Sequence, residues 1–256
     1  MERLDETRQL VNRYLAGEIH EVKGWCLPQV WQVIWPLSKE IGAGAVAEIG
    51  IFQGKFFIGL SKTFATSSEN PAAAIDVFEL QEFNLDHSGT GDLAAFQGNL
   101  DRFGPGIGAV TIVQTDSLAL DRADAEALIA RHGRFSFFSV DGCHDVVHTV
   151  KDVEFAMSVT AHNGVIAVDD YLNPDWPGVA EAMAKMYLMG SHPFVPLAFC
   201  CGKLFLCSLS YHARYLEIIH SYIAANHPET RMKRVPRFGF DTLSVHPNRE
   251  RWSDLA

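Results

Sequence analysis

Short, unbroken apolar runs alternate along this chain with longer stretches in which apolar positions recur at helical spacing. The runs are AVAEI (Ala45 to Ile49), AAIDVF (Ala73 to Phe78), AVTIV (Ala109 to Val113), FSFFSV (Phe135 to Val140) and GVIAV (Gly164 to Val168). Continuous apolarity, rather than strict alternation, is what parallel strands covered on both faces require. Between them the pattern predicts helices after Gly54, over DLAAFQGNLDRF, over DRADAEALIARHG and over VVHTVKDVEFAMSV, with another at PGVAEAMAKMYLMG. Each crossover is long enough to be helical, so the chain reads as an α/β sheet.

Two further runs, FVPLAFC (Phe194 to Cys200) and KLFLCSL (Lys203 to Leu209), are separated only by Cys201-Gly202. So short a connection predicts an antiparallel hairpin. The expected fold is α/β and Rossmann-like: a seven-stranded, mostly parallel sheet with a reversed C-terminal hairpin strand and helices on both faces. Residues 1–44 read as an N-terminal helical segment that brings Trp25, Trp31 and Trp35 near the sheet, and residues 45–210 as the core. Residues 211–256 read as a closing helix followed by a Pro- and Arg-rich tail with no assigned element, the whole forming a single domain. The basic run RMKRVPR in that tail reads as a solvated charged segment. The apolar segment WCLPQVWQVIWPL has two readings, a cover for the chain's own core or for a second subunit.

Composition narrows the function. Across 256 residues the net charge is −10, with 48% hydrophobic and 20% charged residues. That acidic balance argues against general nucleic-acid or anionic-membrane binding and favours small-molecule chemistry. Cys26, Cys143, Cys200, Cys201 and Cys207 are odd in number and lack CxxC spacing, which indicates neither a zinc knuckle nor a disulfide framework. Reduced thiols, a charged N-terminus and the lack of any run of about 18 apolar residues give the expectation of a cytoplasmic protein.

The candidate chemistry collects at strand ends. In AEIGIFQGKFF, Glu48, Gly50, Phe52 and Gly54 straddle the first strand-to-helix turn, where glycines allow close backbone approach to a ligand and the helix N-terminus offers free N–H groups. A tight turn without a ligand explains the glycines equally well. The spacing is not G-x-G-x-x-G, so the nicotinamide fingerprint is absent and an oxidoreductase is disfavoured. Asp76 ends the second strand, where a nucleotide-binding sheet places an acid for ribose hydroxyls. Asp116 and Ser117 follow the third, near a prospective adenine or as a helix cap.

Asp141 follows the fourth strand, and Asp169-Asp170 follow the fifth. Adjacent parallel strands would cluster these three carboxylates, and with no Lys or Arg predicted beside them a hard divalent cation such as Mg²⁺ is the expected counter-charge. His144, close to Asp141, is a candidate general base, and His148 would share its helix face. Trp176 has two readings, packing or stacking on a substrate ring. The loop EFNLDHSGTGD (Glu82 to Asp92) would wall a pocket.

Taken in order, AEIGIFQGKFFIGL, IDVFELQ, NLDHSGTGD, TDS, VDGCHDVVHTVKD and NGVIAVDDY resemble the class I S-adenosylmethionine-dependent methyltransferases, in the bacterial branch close to the metal-dependent, catechol-type O-methyltransferases. The resemblance spans roughly residues 22–210. It implies Glu48, Gly50, Phe52 and Gly54 around the methionine end of S-adenosylmethionine, Asp76 on its ribose, and Asp116 with Ser117 near adenine, Asp141 also bordering the cofactor. It further implies Mg²⁺ on Asp141, Asp169 and Asp170, and methyl transfer to a hydroxyl of a sugar, phenol or natural product, with Asp141 and His144 catalytic. Those relatives commonly carry Asp-Asn and a lysine base where this chain has Asp169-Asp170 and Gly142-Cys143-His144. Outside this class, a non-catalytic cofactor-binding protein of the same fold and a metal-dependent hydrolase remain as readings.

Overall fold

A computed structural model of the chain describes residues 2–248 together with 254 and 255. Five strands, β1 (Val46–Ile49), β2 (Ala72–Asp76), β3 (Val110–Gln114), β4 (Phe135–Val140) and β5 (Thr160–Val168), run parallel in the order β3-β2-β1-β4-β5. Their side chains split between two cores: Val46, Ala74, Phe137 and Val165 point to one face, while Ala47, Ile75, Phe138 and Ile166 point to the other. Burial on both faces is the reason these runs are continuously apolar.

The predicted hairpin forms from β6 (Phe194–Cys200) and β7 (Lys203–Ser208), with β7 inserted antiparallel between β5 and β6. The expectation of seven strands is corrected to nine among the described residues. The tail supplies β8 (Arg231–Arg237) and β9 (Phe240–His246), and β9 pairs parallel with β6 while β8 forms the edge. RMKRVPR is therefore a strand rather than an unstructured segment. Its charges are mostly exposed on an edge, where lysine and arginine discourage further pairing, so it carries no apolar run to betray it. The end of the tail, 249–253 and 256, lies outside the described residues, as does Met1.

Helices α1 (Glu2–Ala16), α2 (Trp31–Ile41), α3 (Lys55–Thr63) and α4 (Leu93–Phe103) cover one face together with the long closing helix, and α5 (Arg122–His132), α6 (Val146–Val159) and α7 (Pro177–Met189) cover the other. The closing helix, α8, spans Leu209–Asn226 and packs on α2. Within WCLPQVWQVIWPL, Trp31 and Trp35 are fully buried in the chain's own core, whereas Trp25 stands 74% exposed. Aspartates cap the helices next to the sheet edge: Asp92 starts α4, Asp121 starts α5 in a capping box with Asp124, and Asp145 starts α6.

Register fixes what meets at the carboxyl edge. Ile49 pairs with Val140 and Val140 with Val168, so Gly50, Asp141 and Asp169 leave three neighbouring strands at one level. Gly50 (φ +86°) is required twice over, since a Cβ there would also sit 1.7 Å from the Asp141 carbonyl oxygen. Gly50→Ala is expected to lower unfolding stability in urea by at least about 2 kcal/mol. Gly42→Ala, at the same φ but with nothing within 4 Å, should cost distinctly less.

Candidate functional site

Above the carboxyl ends of β1, β2, β4 and β5 opens a cleft of about 470 Å³. Glu48, Asp76, Asp116, Asp141, His144 and Asp170 all line it, as do Gly50, Phe52, Ser117 and Asp169. Gly54 stands back from the cleft at the N-cap of α3, with φ +87° and Phe96 where a Cβ would go.

On the β1–β3 side, Asp76 is engaged with the backbone. Its Oδ2 accepts hydrogen bonds from Ile51 N at 2.6 Å and Phe52 N at 2.9 Å, and its Oδ1 accepts from Phe78 N. The carboxylate thus locks the β1–α3 turn to the end of β2, and the left-handed φ of Phe52 and Phe78 is held from both sides. Asp116 accepts from Leu118 N at 3.0 Å, which makes it the cap of the short 3-10 turn Ser117–Ala119.

The expectation that no lysine or arginine stands beside the strand-end carboxylates is corrected. Lys203, the first residue of β7 and only 3% exposed, lays its ammonium against Asp169 Oδ2, at 3.7 Å from Asp141 Oδ2 and over the Phe56 ring at 4.2 Å. Asp169 Oδ1 in turn accepts from Asp170 N, so both of its oxygens are engaged. Burial alone would depress the lysine, but Asp169, Asp141 and Glu48 hold it well above its ordinary range. The sequence signal was a lysine heading the apolar run Leu204–Cys207, in a strand that is buried on both faces.

Glu48, 1% exposed, is pushed up to about 8, chiefly by burial and against the pull of Lys203. Its Oε1 has no hydrogen-bond partner. Burial and the charge of Asp169 likewise raise Asp141 well above the carboxylate range.

His144 is clamped rather than free. Asp86, from the loop after β2, accepts from both its backbone N at 2.8 Å and its Nδ1 at 2.6 Å, while Trp176 stacks on the ring at 4.5 Å and 17°. Nε2 lies 3.1 Å from Asp170 Oδ2 and 3.9 Å from Asp141 Oδ1. Burial alone would lower the imidazole, yet the Asp170 and Asp86 carboxylates push it up to about 10. In this state it is a cation at neutral pH, and a role as general base requires that proton to leave first. His148 is turned away onto Asp145, at 2.7 Å, with Asp116 3.6 Å from Nε2. Asp86 and Asn173, which donates to Asp170 Oδ1 at 2.8 Å, were not singled out from sequence, because loop residues acquire these partners only through tertiary folding.

A cationic nucleoside cofactor suits this donor set. The orphaned Glu48 oxygen offers an acceptor to an ammonium group, and carboxylates outnumber lysines around the cleft. For Mg²⁺ on Asp141, Asp169 and Asp170 the fit fails at Asp169, whose oxygens are committed and whose partner is itself a cation. The groups that do converge are Asp141, His144 and Asp170, whose ligand atoms lie within 4.8 Å of one another.

Residues 47–171 match the model of a family described as a methyltransferase domain. Among solved structures, the cofactor-bound Rv0187 from MTB aligns with a TM-score of 0.52 at 16% identity, over 80% of this chain and 89% of that one. The O-methyltransferase NovP aligns with a TM-score of 0.51 at 12% identity, over 80% and 79%. At such identities the likeness is one of fold. No curated protein sequence matches this chain. Among the described residues no helix is long and apolar enough to cross a membrane, and none of the five cysteines is in a disulfide.

Two stability measurements check this electrostatic arrangement. Folding raises Glu48 from 4.5 to about 8, so the native state binds a proton that the unfolded chain has lost between those pH values, and stability falls as pH rises through that window. Glu48→Gln is expected to remove that slope: urea unfolding at pH 5, 6.5 and 8 should show the variant gaining roughly 2–4 kcal/mol relative to the parent. Lys203→Met removes the buried cation from the half-buried Asp141 and Asp169 and should cost about 3–5 kcal/mol at pH 7.5.

Proposed function

We propose that this chain, whose residues 47–171 match a methyltransferase-domain family, is a class I S-adenosylmethionine-dependent methyltransferase that transfers the cofactor's methyl group to a hydroxyl of a small molecule such as a sugar, phenol or natural product. One observation carries the reading. A single cleft joins the strand-end acids suited to a nucleoside, Glu48, Asp76 and Asp116, to a second acidic group, Asp141 and Asp170, opposite them.

In this reading Glu48 receives the methionine ammonium, Asp76 the ribose hydroxyls, and Asp116 with Ser117 the adenine edge. The bound cofactor supplies an electrophilic methyl on a sulfonium. The turn from Gly50 to Gly54 orients it, and Asp76 already holds that turn rigid through Ile51 and Phe52. The acceptor enters past the exposed Trp25, which leans on Phe52 at 5.4 Å, and along the loop carrying Asp86. Its hydroxyl faces Asp141 and Asp170, and its proton passes by way of the ionised Asp170 carboxylate to solvent as the methyl moves. A divalent cation held there would lower the pKa of that hydroxyl. The coupling of His144 to Asp86 and Trp176 sets the position of the wall against which the acceptor rests.

Calorimetric titration of the full chain with S-adenosylmethionine is expected to saturate at one site, with NAD⁺ showing no binding. Incubation with labelled cofactor and a panel of hydroxylated rings should then give a methyl ether. Absence of binding by demonstrably folded protein would defeat the reading, and binding without transfer to any acceptor would favour a non-catalytic cofactor-binding protein.

A further inference from the structure

The charged run RMKRVPR ends on a residue unlike the rest of it. Arg231, Lys233 and Arg234 are exposed, whereas Arg237 is half-buried and turned inward. Its Nη1 donates to the Tyr171 hydroxyl at 3.0 Å, and its guanidinium lies 4.9 Å from the centre of the Tyr171 ring and 5.7 Å from that of Phe199. The Nε of Arg237 is buried without a hydrogen-bond partner, a cost that an aliphatic side chain in the same aromatic slot would avoid. What requires an arginine there is the grip on Tyr171, a charged hydrogen bond combined with a cation over the ring.

The turn beyond Arg237 seats it. Arg237 pairs with Phe240, so Phe238 and Gly239 form a two-residue hairpin turn with both φ values positive, +51° and +86°. A bulky residue in that conformation persists only where its surroundings hold it. Phe238 stacks on Tyr187 of α7 at 5.2 Å and 5°, and meets Tyr171 edge-on at 6.4 Å. From the other side, the Tyr171 N–H donates to the Gly202 carbonyl in the β6–β7 turn. Tyr171 directly follows Asp170, which lines the cleft in a left-handed conformation at φ +52°.

We propose that Arg237 is a positioning residue for methyl transfer: by fixing Tyr171 it holds Asp170, the carboxylate through which the acceptor's proton leaves, facing the cleft. This deepens, and rests on, the reading of the cleft as a methyl-transfer site. A left-handed backbone is not one that aspartate prefers, so contacts must supply it. The bonds from Asp170 N to Asp169 Oδ1, from Asn173 N to the Asp170 carbonyl and from Asn173 Nδ2 to Asp170 Oδ1 are local and travel with the segment. His144 meets the carboxylate itself, at Oδ2. The anchors of the backbone are Gly202 and Arg237, both acting on Tyr171. The C-terminal hairpin thereby acts on the cleft from beyond the methyltransferase-domain match, which ends at Tyr171.

Amide hydrogen exchange of the full-length protein, without cofactor, tests the brace. In Arg237→Met the Tyr171 and Asn173 amides should exchange at least about 10-fold faster than in the parent. The β9 amides that pair with β6 should stay within about twofold, since Phe238 still seats the turn. Tyr171→Phe keeps the ring and removes the acceptor, and should quicken the same two amides. The double variant should exceed the larger single effect by less than about threefold, because both changes break one contact. On an acceptor that the parent methylates, kcat should fall at least about 10-fold in Arg237→Met while the Kd for S-adenosylmethionine stays within about twofold, a split that general loss of structure would not give. Unchanged exchange at Tyr171 and Asn173, acceleration spread equally through β9, or a parent-like kcat despite faster exchange would overturn the proposal. A folded parent that binds no S-adenosylmethionine defeats the methyltransferase reading instead, and the exchange measurement still decides whether Arg237 braces Asp170.

Discussion

A buried ammonium holds the carboxyl edge of this sheet together. Lys203 lies beneath the cleft with Asp169 against it and Asp141 and Glu48 around it, so β1, β4, β5 and β7 each contribute a residue to one charged centre. Taking a lysine out of water is costly and is offset only where several carboxylates surround it. That condition explains the otherwise unfavourable crowding of acids at the ends of strands whose other residues are apolar. The centre also divides the aspartates by task. Asp169 faces down into the ion pair, and Asp141 and Asp170 face up into the cleft.

Much of the architecture was legible before any coordinates. The five parallel strands, the crossover helices and the hairpin at Cys201-Gly202 all follow from unbroken apolar runs and a two-residue turn, because burial on both faces leaves that trace. The β8–β9 hairpin left none. Arg231, Lys233 and Arg234 keep β8 polar at an edge, and the backbone pairing that makes it a strand is indifferent to side-chain hydrophobicity. For the site, position was readable and pairing was not. Asp141, Asp169 and Asp170 fall where the parallel topology puts them, but which of them meets a cation depends on Lys203, more than 30 residues away and from a strand running the opposite way. His144 shows the same limit: its spacing from Asp141 suggested a base, whereas the partners that set its charge, Asp170 and Asp86, come from the loops after β5 and β2.

Rigidity and adaptability are separated around the cleft. Asp76, Gly50 and the capped starts of α4 and α6 fix the strand-end side through backbone hydrogen bonds, which tolerate little displacement. The opposite wall is made of long loop segments, and from them Asp86, in the loop after β2, and Trp176, in the loop after β5, reach inward. Both end on His144. A change in either loop therefore alters the acceptor's wall without disturbing the strand ends, which is how one sheet can serve different acceptors.

The charge of the cleft bears on turnover as well as on binding. In the proposed reaction the cofactor enters as a sulfonium cation and leaves as a neutral thioether, while the amino-acid portion keeps its charges. Carboxylates that attract the incoming sulfonium lose that attraction once the methyl has moved, and the loss is larger where the groups are sheltered from water. Lys203 limits the swing by supplying a constant charge from below. On that reading, the same cluster that stabilises the sheet edge would favour the charged form of the cofactor over its spent form.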